Sequence, residues 1–106
     1  MADSIGERSY SCQKCGNRVS RNDDIISKSF QSKKGRAFLF YEAKNVAMGP
    51  QQEKMFITGQ YVVSDVFCSD CGEKLGWKYI KAYDQSQKYK EGKVVLEKFK
   101  ITDEDS

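Results

Sequence analysis

The sequence predicts a mainly β fold built on antiparallel pairing. Two observations carry this expectation: short runs rich in β-branched and aromatic residues outnumber helical periodicities, and glycine or polar clusters bound most of those runs. A third observation bears on how so small a chain holds together. All four cysteines of the 106 residues fall into two C-x-x-C pairs.

Taken in order, residues 1–8 and the closing Thr102-Asp103-Glu104-Asp105-Ser106 are polar ends with nothing to bury, and both are expected to be disordered. Residues 9–101 then make one domain, with no linker long enough to divide it. The segment from Asp23 to Phe30 is ambiguous between a strand and a short helical turn. Ala37-Phe38-Leu39-Phe40-Tyr41 reads as a strand after a Lys33-Lys34-Gly35-Arg36 turn. Gly49-Pro50-Gln51-Gln52 is expected to be an exposed loop, because it holds the only proline. Met55 to Thr58 and Gln60 to Phe67 read as two strands about Gly59. From Leu75 to Tyr83 apolar and polar positions alternate, with Trp77, Tyr79, Lys81 and Tyr83 on one face. A last strand is expected from Lys93 to Ile101 after a Glu91-Gly92 turn.

Composition narrows the function classes. Hydrophobic residues at 39% and charged residues at 31% suit a globular chain rather than a disordered one. The start has no apolar stretch to act as a signal peptide and no run is long enough to span a bilayer, so a soluble intracellular protein is expected. The absence of histidine excludes Ser-His-Asp and Cys-His catalysis, two-histidine zinc hydrolases and a histidine pH switch. Net charge is +3, too little to argue for nucleic acid by itself.

The cysteines carry the clearest chemistry. Cys12-Gln13-Lys14-Cys15 and Cys68-Ser69-Asp70-Cys71 have 52 residues between them, and glycine follows each pair. Cys12 to Val19 reads C-Q-K-C-G-N-R-V and Cys68 to Leu75 reads C-S-D-C-G-E-K-L, a repeat with matched basic and aliphatic positions. Two such pairs complete the closed tetrahedron of a structural zinc site, so one Zn2+ bound by Cys12, Cys15, Cys68 and Cys71 is expected. Two disulfides, a redox pair or plain buried thiols are the alternatives; the reducing compartment and the doubled motif favour zinc. Four thiolates leave a formal charge of −2 on the site, for which Lys14, Arg18, Lys74 and Lys78 are candidate neighbours. Zinc in small peptides contributes about 10–16 kcal/mol of apparent binding energy, comparable to the whole stability of a small domain.

From Tyr10 to Ile101 the chain resembles the Yippee-like family. The resemblance rests on the two cysteine pairs, Gly35-Arg36-Ala37-Phe38-Leu39-Phe40, Asn45-Val46, Thr58-Gly59, Gly76-Trp77-Lys78-Tyr79 and the run Ser86 to Lys93. The segment Phe40 to Asn45 departs from the pattern of many relatives. The resemblance implies two antiparallel sheets that lean together and are pinned at one end by zinc, a fold often called a β-tent. It also implies a non-enzymatic protein in the nucleus or cytoplasm, with protein partners in cell-division or ubiquitin-ligase assemblies.

Other functions are weighed on the same residues. Related folds include a sulfoxide reductase, which needs a catalytic cysteine beyond its zinc ligands, and here zinc consumes all four. Another relative holds small ligands in an aromatic cage, which makes Trp77, Tyr79 and Tyr61 a candidate pocket for a small ligand or a modified residue, against the plainer reading that they are core. Lysines 78, 81, 88, 90, 93, 98 and 100, interleaved with Tyr83, Tyr89 and Phe99, raise nucleic acid as a weaker possibility. Asp23-Asp24 offers no catalytic pair, since neighbours on a strand point oppositely. No membrane partner and no enzymatic activity are expected.

Overall fold

The computed structural model describes residues 8–104. Among them the chain forms β1 (Ser9–Cys12), β2 (Arg18–Arg21), β3 (Ile25–Ser32), β4 (Gly35–Phe40), β5 (Val46–Phe56), β6 (Gly59–Cys68), β7 (Lys74–Ala82), β8 (Val94–Glu97) and β9 (Ile101–Glu104). The order β2-β1-β9 makes a small sheet and β3-β4-β8-β7-β6-β5 a larger one, with every pairing antiparallel. The expected mainly β class with two antiparallel sheets is therefore borne out.

Alternation along β4 and β8 builds two apolar clusters on opposite faces of the large sheet. Phe38, Phe40, Val94 and Leu96 face the small sheet, where they meet Tyr10, Val19 and Ile101. Tyr10 packs edge-on against Phe40 with ring centroids 5.4 Å apart. Ala37, Leu39 and Val95 face the other way, into a cluster with Tyr61, Val63, Tyr79 and Ala82. Strand β7 comes close to its neighbour β8 at Gly76, where a Cβ would stand 1.8 Å from the Val95 carbonyl oxygen. Only glycine fits there.

Four sequence expectations need correction. Gly49-Pro50-Gln51-Gln52 is not a loop: β5 runs through it, with an irregular register between Met48 and Gln51. Strand β5 lies at the edge of the sheet, where proline deprives the ladder of no needed donor. The expected strand Lys93 to Ile101 is broken by a 3-10 turn, Lys98–Lys100, which carries the chain from β8 in the large sheet to β9 in the small one. The expected disordered tail fails for Thr102 to Glu104, which pair with β1, because the free edge of β1 supplies ladder partners that composition does not reveal. Alternation in β7 is interrupted twice, since Leu75 and Ile80 are extra residues opposite β6. Such bulges let Leu75 join the first cluster while Trp77, Tyr79 and Ala82 join the second. The ambiguous segment from Asp23 resolves into both forms, a 3-10 turn at Asn22–Asp24 and then β3. A further 3-10 turn, Gln85–Lys90, is capped by Asp84, whose carboxylate accepts from the Ser86 amide. The disorder expected of residues 1–7, 105 and 106 lies outside the described residues.

Candidate metal centre

Each C-x-x-C occupies the turn of a hairpin: Cys12–Cys15 joins β1 to β2, and Cys68–Cys71 joins β6 to β7. The two turns therefore belong to different sheets. Their backbones match bond for bond. The Cys12 amide donates to the Asn17 carbonyl at 2.8 Å and the Cys68 amide to the Glu73 carbonyl at 2.8 Å, while the Gly16 and Gly72 amides return to the Cys12 and Cys68 carbonyls. Gly16 and Gly72 have φ of 82° and 80°, a left-handed conformation that costs a side-chain-bearing residue roughly 1–2 kcal/mol. The repeated C-x-x-C-G thus encodes one turn used twice.

The four sulfurs lie within 4.8 Å of one another. Cys12 Sγ stands 3.6 Å from Cys71 Sγ, and Cys15 Sγ 3.5 Å from Cys68 Sγ, so each close contact joins one turn to the other. These separations exceed the ~2.05 Å of a disulfide. They are close to the ~3.8 Å edge of a sulfur tetrahedron with ~2.3 Å zinc bonds. The donor set fits a four-coordinate ion.

Thiol chemistry agrees with that fit. Burial pushes the Cys68 thiol up, but the Asn17 side-chain amide, at 3.3 Å from the sulfur, and the Cys71 and Asp70 backbone amides outweigh it and hold the group down at about 6. Cys15 accepts from the Asn17 backbone amide, which lowers it, yet partial loss of hydration and hydrogen bonds with the other three cysteine sulfurs push it up to about 12. Cys71 is raised as well: the Glu73 backbone amide lowers it, and burial with the contacts to Cys12 and Cys68 prevails. Four sulfurs this close cannot all ionise unless a cation lies among them.

Asn45 ties the two turns together from outside. Its backbone stands at φ 58°, and its carbonyl accepts from the Ser69 amide at 3.1 Å, the Ser69 hydroxyl at 2.7 Å and the Asn17 side chain at 2.9 Å. Its own side-chain amide donates to the Arg18 carbonyl at 2.7 Å. Of the cations expected near the sulfurs, Lys14 pairs with Glu73 at 3.7 Å and Lys74 with Asp65 at 3.4 Å. Lys100 also pairs with Glu73, binding the sheet-switching turn to the second cysteine turn. These ammonium groups pair with carboxylates, whereas the Asn17 side-chain amide donates directly to the Cys68 sulfur. Spacing marks the ligands, whereas Asn17 and Asn45 as supporting donors were not legible; the asymmetry between Asn17 and Glu73 in otherwise matched repeats was the available hint.

The candidate pocket of Tyr61, Trp77 and Tyr79 is packed core. Tyr61 is 0% and Tyr79 3% exposed, their rings 4.8 Å apart, and Trp77 is half-buried against Phe56. Burial raises the Tyr79 hydroxyl to about 12. The chain fills its own cage: the Lys90 ammonium is buried 5.2 Å from the Tyr61 ring, 5.4 Å from the Tyr79 ring and 5.1 Å from the Phe30 ring. It donates to the Tyr61 hydroxyl at 3.0 Å and to Thr58 at 3.3 Å. Alternating aromatics could not disclose that a lysine some ten residues downstream would fold back over them.

The lysines that raised nucleic acid as a weaker possibility are largely engaged within the fold. Lys90 is buried, Lys100 pairs with Glu73, Lys88 pairs with Glu91 at 3.2 Å, and Lys81 and Lys93 lie over Tyr83 and Tyr41.

Comparison with known proteins agrees with this geometry. The family profile described as Yippee zinc-binding/DNA-binding and Mis18, centromere assembly, matches residues 9–104. A yippee-like protein of Arabidopsis thaliana is 55% identical over 105 residues, covering 99% of each chain. The yippee-like 3 protein of Danio rerio is 49% identical over 90 residues, which is 85% of this chain and 76% of that one. The crystal structure of the Mis18 Yippee-like domain superposes with a TM-score of 0.74 at 17% identity, covering 94% of this chain and 97% of that one, a likeness of fold. With two matched cysteine turns closing on one cluster between two sheets, the chain belongs to the Yippee-like family.

Proposed function

We propose that this chain is a non-enzymatic protein-interaction module whose two sheets are fixed by one structural zinc ion. The carrying observation is the donor set: four sulfurs within 4.8 Å, drawn equally from the two sheets. A four-thiolate ion has no position left for water or substrate, so its work is mechanical. The ion would be held by Cys12, Cys15, Cys68 and Cys71, with the Asn17 amide relieving charge on Cys68. It supplies a cross-link between hairpins far apart in sequence. Faces of the scaffold then meet a protein partner in the nucleus or cytoplasm. The Mis18 name in the family description, with its centromere assembly, supports a place in cell-division assemblies, and a ubiquitin-ligase assembly is the other setting we propose.

The reading is tested by affinity capture from nuclear and cytoplasmic extracts with the zinc-loaded chain and with Cys68→Ser. It expects a defined set of proteins recovered by the first and lost with the second. Zinc-dependent turnover of any substrate, or recovery unaffected by Cys68→Ser, contradicts it.

A further inference from the structure

We propose that a basic cleft between the two sheets docks an acidic peptide segment of the partner protein. This inference rests on the interaction-module reading and assigns it a surface. The cleft encloses about 330 Å³, within the ~300–1,000 Å³ range of ligand clefts. Tyr10 and Phe38 form its floor, and Lys28, Arg36 and Lys98 stand around it.

The three cations arrive from three separate elements. Ser27 pairs with Leu39 and Phe30 with Ala37, so Lys28 and Ser29 together lie across from Phe38 alone. A bulge of this kind re-aims a side chain, and the Lys28 ammonium lies 5.8 Å from the Phe38 ring centre. Arg36 comes from β4, and Lys98 from the turn that carries the chain between sheets. Asp103 also lines the cleft and pairs with Arg8 at 3.6 Å, so three cations stand against one carboxylate that is already engaged. Among the described residues no carboxylate lies within ion-pair distance of Lys28, Arg36 or Lys98. Three like charges around one concave floor repel each other, and an arriving anion reverses the sign of that interaction.

Carboxylates on a peptide match the site better than nucleic acid does. Tyr10 and Phe38 are 3% and 5% exposed, so neither offers a ring face for base stacking. The guanidinium of Arg36 suits a bidentate carboxylate, with Lys28 and Lys98 as point charges beside it.

The test uses the zinc-loaded full chain and fluorescence anisotropy of labelled Glu-Glu-Leu-Glu-Glu, with Gln-Gln-Leu-Gln-Gln as control. The acidic probe should bind, weaken as salt rises, and lose about tenfold or more in affinity with Lys28→Glu/Arg36→Glu, while the neutral probe should not bind. Lys44→Glu/Lys54→Glu, with the same change in net charge, should bind nearly as the native chain does. Lys98→Gln gives a milder variant, and circular dichroism and zinc content establish that each is folded. Failure of the acidic probe to bind, equal loss in both double variants, or tighter binding of oligodeoxythymidine or inorganic phosphate to the same residues overturns the proposal. Extract proteins captured equally by Lys28→Glu/Arg36→Glu and the native chain would sink the cleft while leaving the module reading intact; recovery that Cys68→Ser does not disturb would sink the module reading itself.

Discussion

The Asn17 side chain reaches from the first cysteine turn to the second, donating to the Cys68 sulfur at 3.3 Å. The same amide donates to the Asn45 carbonyl at 2.9 Å, so its orientation is fixed from both ends. Donors of this kind set the charge and direction of a metal ligand, and removing one typically costs 10–100-fold in affinity. Asn17→Ala should therefore lower zinc affinity by about tenfold or more. Asn17→Asp should lower it further, because a carboxylate would face thiolate. Competition with a chromogenic chelator checks both; unchanged affinity in Asn17→Asp would contradict the role.

Lys90 is a buried cation held by rings rather than by a carboxylate. Lys90→Met keeps the aliphatic length and leaves the Tyr61 hydroxyl with Thr58 and Gln87 as partners but gives up the attraction of the rings for the charge, so stability should fall by about 2 kcal/mol. Lys90→Glu places a negative charge against ring faces and should destabilise by at least about 3 kcal/mol. Urea unfolding of the zinc-loaded chain measures the difference. Equal losses in the two variants would contradict the cation–π account.

Gly76→Ala should be severe, since no rotamer relieves a Cβ standing 1.8 Å from the Val95 carbonyl oxygen. The strands β7 and β8 must separate or the peptide must turn. A loss of about 3 kcal/mol or more, or failure to fold, is expected. A thermal melt within a degree or two of the native chain would contradict the close approach.

Glu91 predicts a component of acid sensitivity. The Ala82 backbone amide, at 2.9 Å, and Lys88 hold its carboxyl below the usual carboxylate range. A depressed carboxyl contributes stability that is fully present above its unfolded value and is lost as pH falls through the folded value. Glu91→Gln should accordingly flatten the fall of thermal stability at acid pH relative to the native chain. Since protonation of the cysteines acts equally on both proteins, the difference between the two curves isolates Glu91. Parallel curves would contradict it.

What the sequence could disclose follows from the range of each interaction. The cysteine turns were legible because a local motif of five residues dictates both the ligands and the backbone, and the chain repeats it. Strands β4, β6 and β7 were legible from composition, since one or both faces of each are buried. Pro50 misled because a proline that breaks a central strand is harmless at an edge, and edge position is a property of the whole sheet. Thr102 to Glu104 misled for a related reason: polar residues form β9 because β1 leaves a row of ladder groups open. Lys90 and Asn45 were beyond local reading altogether, each being defined by partners far away in the chain.

The central claim is that one zinc ion joins the two sheets through all four cysteines. Zinc K-edge X-ray absorption on the native protein, with metal content measured on the same sample, tests it most directly. One zinc per chain with four sulfur neighbours at about 2.3 Å is expected. Nitrogen or oxygen in the first coordination shell, fewer than four sulfurs, or a folded native protein free of metal would contradict it.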